Sequence, residues 1–438
     1  MGDLELSLRL VEIVKEFVIT RKLIVYGGLA IDLALRLQGK KIYEDDVIWD
    51  IDVYSPQADK DAFDLVDLLK SMQFPRVSAF LAMHIQTMKV SVNYLSCADI
   101  SYMPKEIFDK LPTLTTKTGI RILHPHYQCI DIHSSLHYPF SNAPSENLFN
   151  RYEKDVKRYN IIMQSYPLNL ECALTKADKA LNVKTFDMPS YKEFAFTGDV
   201  AFNVITHYYN EIRSTFKLPA DKLLQFDIGI SETKIRLLSY SGKMEVIVPD
   251  SIPTDTYYNC YMEQIEEYVG VDDKITYYVG NVLPTVSNVV INDVKFHIIS
   301  IQGLMKHYLA HYYKTGDEMY MKYYCRLYIM IRDVELIFED IIEANPSDKD
   351  DIIECFINSP FSLSINTIGT KNISNNYIKK LASSINTCKD TESHIPEALT
   401  LLKNIPKAYK PHKSRPEEFD YMTNLIFYRI GQSVGHKV

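Results

Sequence analysis

The 438 residues predict an α/β (α+β) protein, built from two related halves in tandem and a helical C-terminal extension. Three observations carry this expectation. Helical and strand-like apolar spacings alternate along the first third of the chain. A faint internal repeat recurs at an offset of about 171 to 177 residues. After Glu339 the apolar spacing is mostly helical, interrupted by polar residues from Asn345 to Asp351.

The elements follow in order. Leu4, Leu8, Val11, Val14 and Val18 recur at helical spacing, and the run from Lys22 to Tyr26 then meets Gly27 and Gly28. This reads as helix, strand and glycine turn. Apolar residues from Leu29 to Leu37 suit a second helix, and the polar stretch from Gly39 to Asp46 suits a surface loop. Val47 to Tyr54 alternates after Trp49, which places Asp50 and Asp52 on one face of a strand. Ala62 to Met72 reads as a helix. Strands are expected from Thr87 to Tyr94 and from Cys97 to Tyr102, the second carrying Asp99.

In the repeat, Tyr26 to Asp32 matches Thr197 to Asn203, Asp99 to Tyr102 matches Lys274 to Tyr277, and Ile120 to Gln128 matches Val294 to Gln302. The order of the matches is preserved, which favours duplication over chance. This alignment sets Asp227 opposite Asp50, Gly229 opposite Asp52 and Lys274 opposite Asp99, with Asp199 replacing the second glycine. An ammonium group where a cation should sit leaves the second half inert.

Composition excludes several classes. With 46% hydrophobic and 24% charged residues and only 15 glycines, the chain is neither fibrous, nor disordered, nor loop-dominated. A formal charge of −8 excludes a histone-like coat, so nucleic acid would have to bind a local basic patch. The seven cysteines form no close pair and read as reduced thiols. No apolar run approaches the ~18 residues of a membrane span, and Met1 to Leu10 lacks the order of a signal peptide. The expectation is a soluble, cytoplasmic protein without membrane contact.

The chemistry concentrates near the first repeat. Two carboxylates one residue apart, with a third from a neighbouring strand, make a hard oxygen cage for Mg²⁺ or Mn²⁺. Asp50, Asp52 and Asp99 fit it. Such a cage can hold two ions about 3.5–4 Å apart, which lower the pKa of an attacking hydroxyl and neutralise a transferring phosphoryl group. Gly27 and Gly28 would let backbone N–H groups approach a triphosphate at the following helix N-terminus. Arg151, Lys154, Lys157 and Arg158 fall at helical spacing, suited either to phosphates or RNA or to a solvated face.

Asp131 rivals Asp99 as third carboxylate, although its neighbours suggest a helix; Asp32, Asp45 and Asp46 read as solvated. His124 and His126 lack further ligands for a zinc site. Lys407, Lys410, Lys413 and Arg415, interleaved with Tyr409 and His412, form either an RNA-contacting tail or a basic surface loop.

Val25-Tyr-Gly-Gly28, Trp49-Asp-Ile-Asp-Val53 and Ala98-Asp-Ile-Ser101 together resemble the signature of the polymerase-β-like nucleotidyltransferase superfamily. The 21 residues between Gly28 and Asp50 exceed the spacing of compact members, so the loop from Gly39 to Val47 must bulge out. Asp99 to Pro104, Ile107 to Pro112 and Gly119 to Gln128 further resemble the poly(A) polymerase catalytic subunits of poxviruses, asfarviruses and mimiviruses.

This resemblance implies two nucleotidyltransferase-like domains, an active one at 1–165 and a degenerate one at 166–340, with the extension at 341–438. It also implies template-independent addition of AMP from ATP to the 3′ end of mRNA, with pyrophosphate released by a two-metal mechanism. ATP, an RNA 3′ end and two Mg²⁺ or Mn²⁺ ions would be bound. A homodimer or a viral processivity subunit would be the assembly, in the infected host cell cytoplasm or virion. A tRNA or small-molecule nucleotidyltransferase and a non-catalytic RNA-processing scaffold are the alternatives.

Overall fold

A computed structural model describes residues 3–44, 50–82, 86–137, 148–171, 181–189, 194–218, 227–248, 266–269, 275–279, 286–349, 361 and 372–373. These divide into two compact units, one formed by residues of Met1–Ile132 and Lys157–Pro167 and the other by most of the remainder. Among the described residues no helix is long and apolar enough to cross a membrane. The basic tail from Lys407 to Arg415, and most of the expected helical extension, lie outside the described residues.

The first unit opens with α1 (Asp3–Arg21), β1 (Ile24–Val25), α2 (Gly27–Arg36), β2 (Asp52–Ser55) and α3 (Ala58–Ser71). It continues with β3 (Val77–Leu81), β4 (Thr87–Val92), β5 (Leu95–Tyr102), α4 (Lys105–Phe108), β6 (Thr113–Thr115) and β7 (Arg121–Leu123). Helices α5 (Pro125–His137) and α6 (Leu148–Ser165) follow, of which residues up to Ile132 and from Lys157 onward belong to this unit. The seven strands form one mixed sheet in the order β3-β4-β5-β2-β1-β7-β6.

Strand alternation decides which face does what. Ile51 and Val53 of the β2 segment, Ala98 and Ile100 of β5 and Val90 and Val92 of β4 join one core cluster with Val14, Phe17 and Val18 of α1 and Leu65 and Leu69 of α3. The intervening residues, Asp52, Asp99 and Lys89, therefore stand together on the opposite face. The expected helices and strands are present with boundaries moved by a few residues. Edge strand β3 has no counterpart in the sequence reading, because its exposed Phe80 and Leu81 break the alternation that marks a half-buried strand.

The second unit contains a three-stranded sheet in the order β10-β11-β8, from β8 (Asn182–Asp187), β10 (Ile228–Ile230) and β11 (Lys234–Ser239). Its larger sheet uses β9 (Ala195–Thr197), β12 (Met244–Val248), β13 (Glu266–Val269), β14 (Ile275–Val279), β15 (Val286–Ile291), β16 (Val294–Ile299) and β17 (Asn372–Ile373). Helices α7 (Gly198–Thr215), α8 (Ile301–Thr315) and α9 (Glu318–Ala344) complete it. The short β17 pairs in parallel with β15, so this described part of the extension is strand.

The larger sheet, ordered β13-β14-β12-β9-β16-β15-β17, repeats the first from its second strand onward. β9 pairs antiparallel with β12 and parallel with β16, as β1 does with β2 and β7. β14 runs parallel to β12 and antiparallel to β13, as β5 does to β2 and β4. Tyr26 and Thr197 both precede the glycine that starts a helix.

The expected residue matches need correcting. Counting along the pairings from Tyr26 and Thr197 sets Glu245 opposite Asp52, Lys243 opposite Asp50 and Thr276 opposite Asp99. Asp227 and Gly229 instead belong to the edge of the small sheet, where Asp227 pairs with Arg236 at 2.8 Å. The sequence alignment slid because β10 and β11 are inserted where the first unit has one loop. Asp199 does replace the second glycine, and it is fully buried. One carboxylate of three remains, so the second sheet cannot build the oxygen cage.

Gly198 has φ +53°, and a Cβ there would strike the buried Glu245 carboxylate. Gly242 has φ +77° but open space around it. A Gly198→Ala variant should lose about 1–3 kcal/mol from the left-handed backbone alone, and more from the displaced carboxylate. Thermal denaturation should show a larger fall for Gly198→Ala than for Gly242→Ala; equal shifts would contradict the close approach.

Candidate active site

Asp52 opens β2 and is the direct cross-strand partner of Asp99 on β5, whose other neighbour in register is Lys89 on β4. The backbone holds this row firmly, with the Asp99 N–H donating to the Ile51 carbonyl at 3.0 Å and the Tyr26 N–H to the Asp52 carbonyl at 3.0 Å. Asp50 sits just before the strand, exposed. One oxygen from each of Asp50, Asp52 and Asp99 lies within 4.8 Å of the others. Ser96 Oγ lies 3.4 Å from both Asp50 Oδ1 and Asp99 Oδ1.

Crowding of like charges on a half-buried face marks the electrostatics. Burial, reinforced by Asp50 and Asp99, pushes the Asp52 carboxyl up to about 7. Burial and Asp50 likewise raise Asp99, while Lys89 opposes the shift. Lys89 Nζ reaches Asp99 Oδ2 at 3.2 Å. The sequence reading missed Lys89, because the register that sets it beside Asp99 is not visible in β4 alone.

The donor set suits a divalent cation. Three convergent carboxylates supply hard oxygen ligands, and their mutual repulsion is what a cation relieves. Asp131 lies on α5, exposed, outside this group. His124 and His126 contact each other and the chain nearby: His126 Nε2 meets the Tyr166 carbonyl at 2.6 Å, and the His126 N–H donates to His124 Nδ1 at 3.2 Å.

The glycine pair shapes the space beside the carboxylates. Gly27 has φ +70°, and a Cβ on it would come within 2.9 Å of Asp52 Oδ2. A Cβ on Gly28 would meet the Arg158 guanidinium and lie 2.6 Å from the Tyr43 hydroxyl. Of the predicted basic residues, Arg158 is brought to the glycine turn and lowers the Asp52 pKa through its charge. Lys154 and Lys157 are exposed on α6, and the Arg151 side chain lies outside the described residues.

Asp32 corrects the expectation of a solvated residue. It is fully buried and accepts the backbone N–H groups of Ile42 and Tyr43 at 2.8 and 3.0 Å. Its burial was hidden because its partners come from the loop, which local spacing describes only as polar.

Residues 12–142 match the family model for the poly(A) polymerase catalytic subunit. A protein of African swine fever virus, Kenyan pig isolate, named as a poly(A) polymerase catalytic subunit, is 42% identical over 208 residues, 48% of this chain and 42% of that relative. The match thus spans less than half the length of that relative. The same-named protein of the Badajoz strain is 30% identical over 446 residues, covering 95% of this chain and 91% of the relative. The crystal structure of the Megavirus polyadenylate synthase superposes with a TM-score of 0.56 at 17% identity, over 97% of this chain and 84% of that one, which shows a shared fold. With 30% identity across nearly the whole of both chains, this protein belongs to the viral poly(A) polymerase catalytic subunit family.

Proposed function

We propose that this chain adds AMP from ATP to the 3′ end of mRNA without a template, releasing pyrophosphate. The observation that carries the reading is the row of Asp50, Asp52 and Asp99, converging within 4.8 Å beside a glycine turn that admits Arg158. Family membership supports the acceptor and the nucleotide. The protein's place of action would be the infected cell's cytoplasm or the virion.

In this reaction the terminal ribose oxygen forms a bond to the ATP α-phosphorus, the bond to the bridging oxygen breaks, and the ribose proton is lost. Two divalent ions, Mg²⁺ or Mn²⁺, would lower the pKa of the ribose hydroxyl and neutralise the transferring phosphoryl group when bound. Asp50 and Asp52 would hold both, and Asp99 the one nearest the hydroxyl. The carboxylates position these charges from rigid strands, which avoids reorganisation during the reaction. Arg158 and the N–H groups of the first turn of α2 face the triphosphate. Lys89 balances Asp99 and keeps the row from repelling an incoming polyanion.

Asp52→Asn should leave the strand intact and remove one ligand charge, lowering primer extension about a hundredfold or more. A folded Asp52→Asn enzyme with near-normal extension would sink the assignment. Asp99→Asn should be nearly inactive while Asp131→Asn keeps most activity, and the reverse order would move the third ligand to α5. RNA affinity, measured by filter binding, should fall between low and physiological salt because phosphate contacts release counterions. A flat salt dependence would argue against an RNA acceptor and for a small-molecule one.

A further inference from the structure

We propose that Tyr43 is a positioning residue that aims Arg158 at the triphosphate, and that Asp32 fixes Tyr43 for this task. The inference rests on the reading of Arg158 as a phosphate ligand and adds the device that presents it.

The chain of contacts begins on α2. Asp32, four residues before Arg36 on the same helix face, accepts from Arg36 Nε at 2.5 Å. With its other oxygen, Asp32 receives the Ile42 and Tyr43 N–H groups. Arg36 Nη2 donates to the Tyr43 carbonyl at 2.9 Å. Tyr43 is thereby held by both its amide hydrogen and its carbonyl, which leaves the direction of its side chain as the quantity this arrangement sets.

That side chain points to the site. The Arg158 Nη2 group donates to the Tyr43 hydroxyl at 3.0 Å, directly over Gly28. Without a side chain at Gly28 the pair can lie against the first turn of α2. A guanidinium is a planar fork whose value to a phosphate depends on orientation. A neutral phenol oxygen orients it without cancelling its charge, which a carboxylate in the same place would do.

The second unit carries the same tether without the same cargo. Asn203 stands where Asp32 does in the repeat, and its side chain accepts from the Asp227 N–H at 3.1 Å and donates to the Leu238 carbonyl at 2.8 Å. In both halves this helix position catches the backbone that follows the helix. In the first half the captured loop delivers a tyrosine to an arginine.

The test is isothermal titration of the full chain with α,β-methylene-ATP and Mg²⁺, in the absence of RNA. Loss of a hydrogen bond to a charged group predicts that Tyr43→Phe weakens binding about three- to tenfold, with an unchanged melting temperature. Arg158→Ala should weaken binding further, and Tyr43→Phe added to Arg158→Ala should change nothing more. Wild-type affinity in Tyr43→Phe, or additive losses in the double variant, overturns the positioning role. If Arg158→Ala itself binds normally, the reading of Arg158 as a phosphate ligand falls, and the relay with it. If Arg158→Ala weakens binding and Tyr43→Phe does not, the relay alone is refuted.

Discussion

Repulsion among three carboxylates on one sheet face is the constraint on which the first unit depends. With one oxygen of each within 4.8 Å of the others, a pair of full charges costs roughly 3 kcal/mol or more at the effective dielectric of a protein surface. Side chains free to choose would move apart. The strands prevent this, because Asp52 and Asp99 are paired across two parallel strands and cannot separate without breaking register. A parallel pair needs a crossover connection, which here consists of α3, β3 and β4. The crossover also returns the chain through β4, where Lys89 supplies the charge that Asp99 needs. Geometry and neutralisation thus come from the same stretch of chain.

What the sequence made legible follows from period and proximity. Asp50, Asp52 and Asp99 were readable because a strand's alternation is local, and each aspartate interrupts an apolar run whose other members must be buried. The glycine turn was readable for the same reason. Lys89 was not, since an isolated lysine in a strand carries no sign of its cross-strand neighbour until the register of β4 against β5 is known. Asp32 looked like an ordinary polar residue of an amphipathic helix; its full burial depends on a loop folding back over it. Among the four basic residues spaced along α6, spacing could not choose Arg158, because the choice is made by the missing side chain at Gly28.

The internal repeat shows the limit of collinearity. Matching short segments recovered the order of elements, and the two sheets share strand order and sense from β4 to β6 and from β13 to β15. The residue matches failed wherever one half had gained strands, since an Asp-x-Gly at the start of β10 imitates an Asp-x-Asp. Backbone pairing is the stricter guide, for it ties Glu245 to Thr197 and Val246 to Phe196 as it ties Val53 to Val25. A pairing slip of one residue would turn Glu245 from its buried face to the other.

Glu245 also separates two roles of the glycine turn. In the first unit Gly27 approaches Asp52, and in the second Gly198 approaches Glu245, each with a left-handed φ at a helix start. Lys243 and Thr276 deny the second sheet a cage for cations, yet the close contact between turn and acid persists there. Its support is structural: Glu245 is buried, with His307 Nε2 at 3.3 Å from Oε1, and an acid near a helix N-terminus is favoured by the helix dipole. Gly27 is therefore required first by packing against Asp52, and the bare Gly28 makes room for the pair of Arg158 and Tyr43. Asp199 in place of that second glycine is a buried carboxylate, raised to about 7 by burial and by Glu245; its Oδ2 accepts from Ser239 and Ser241, while its Oδ1 has no hydrogen-bond partner among the described residues. The same strand-turn-helix scaffold admits an arginine and a tyrosine where its second glycine stays bare, and buries a hydrogen-bonded carboxylate where an aspartate replaces it.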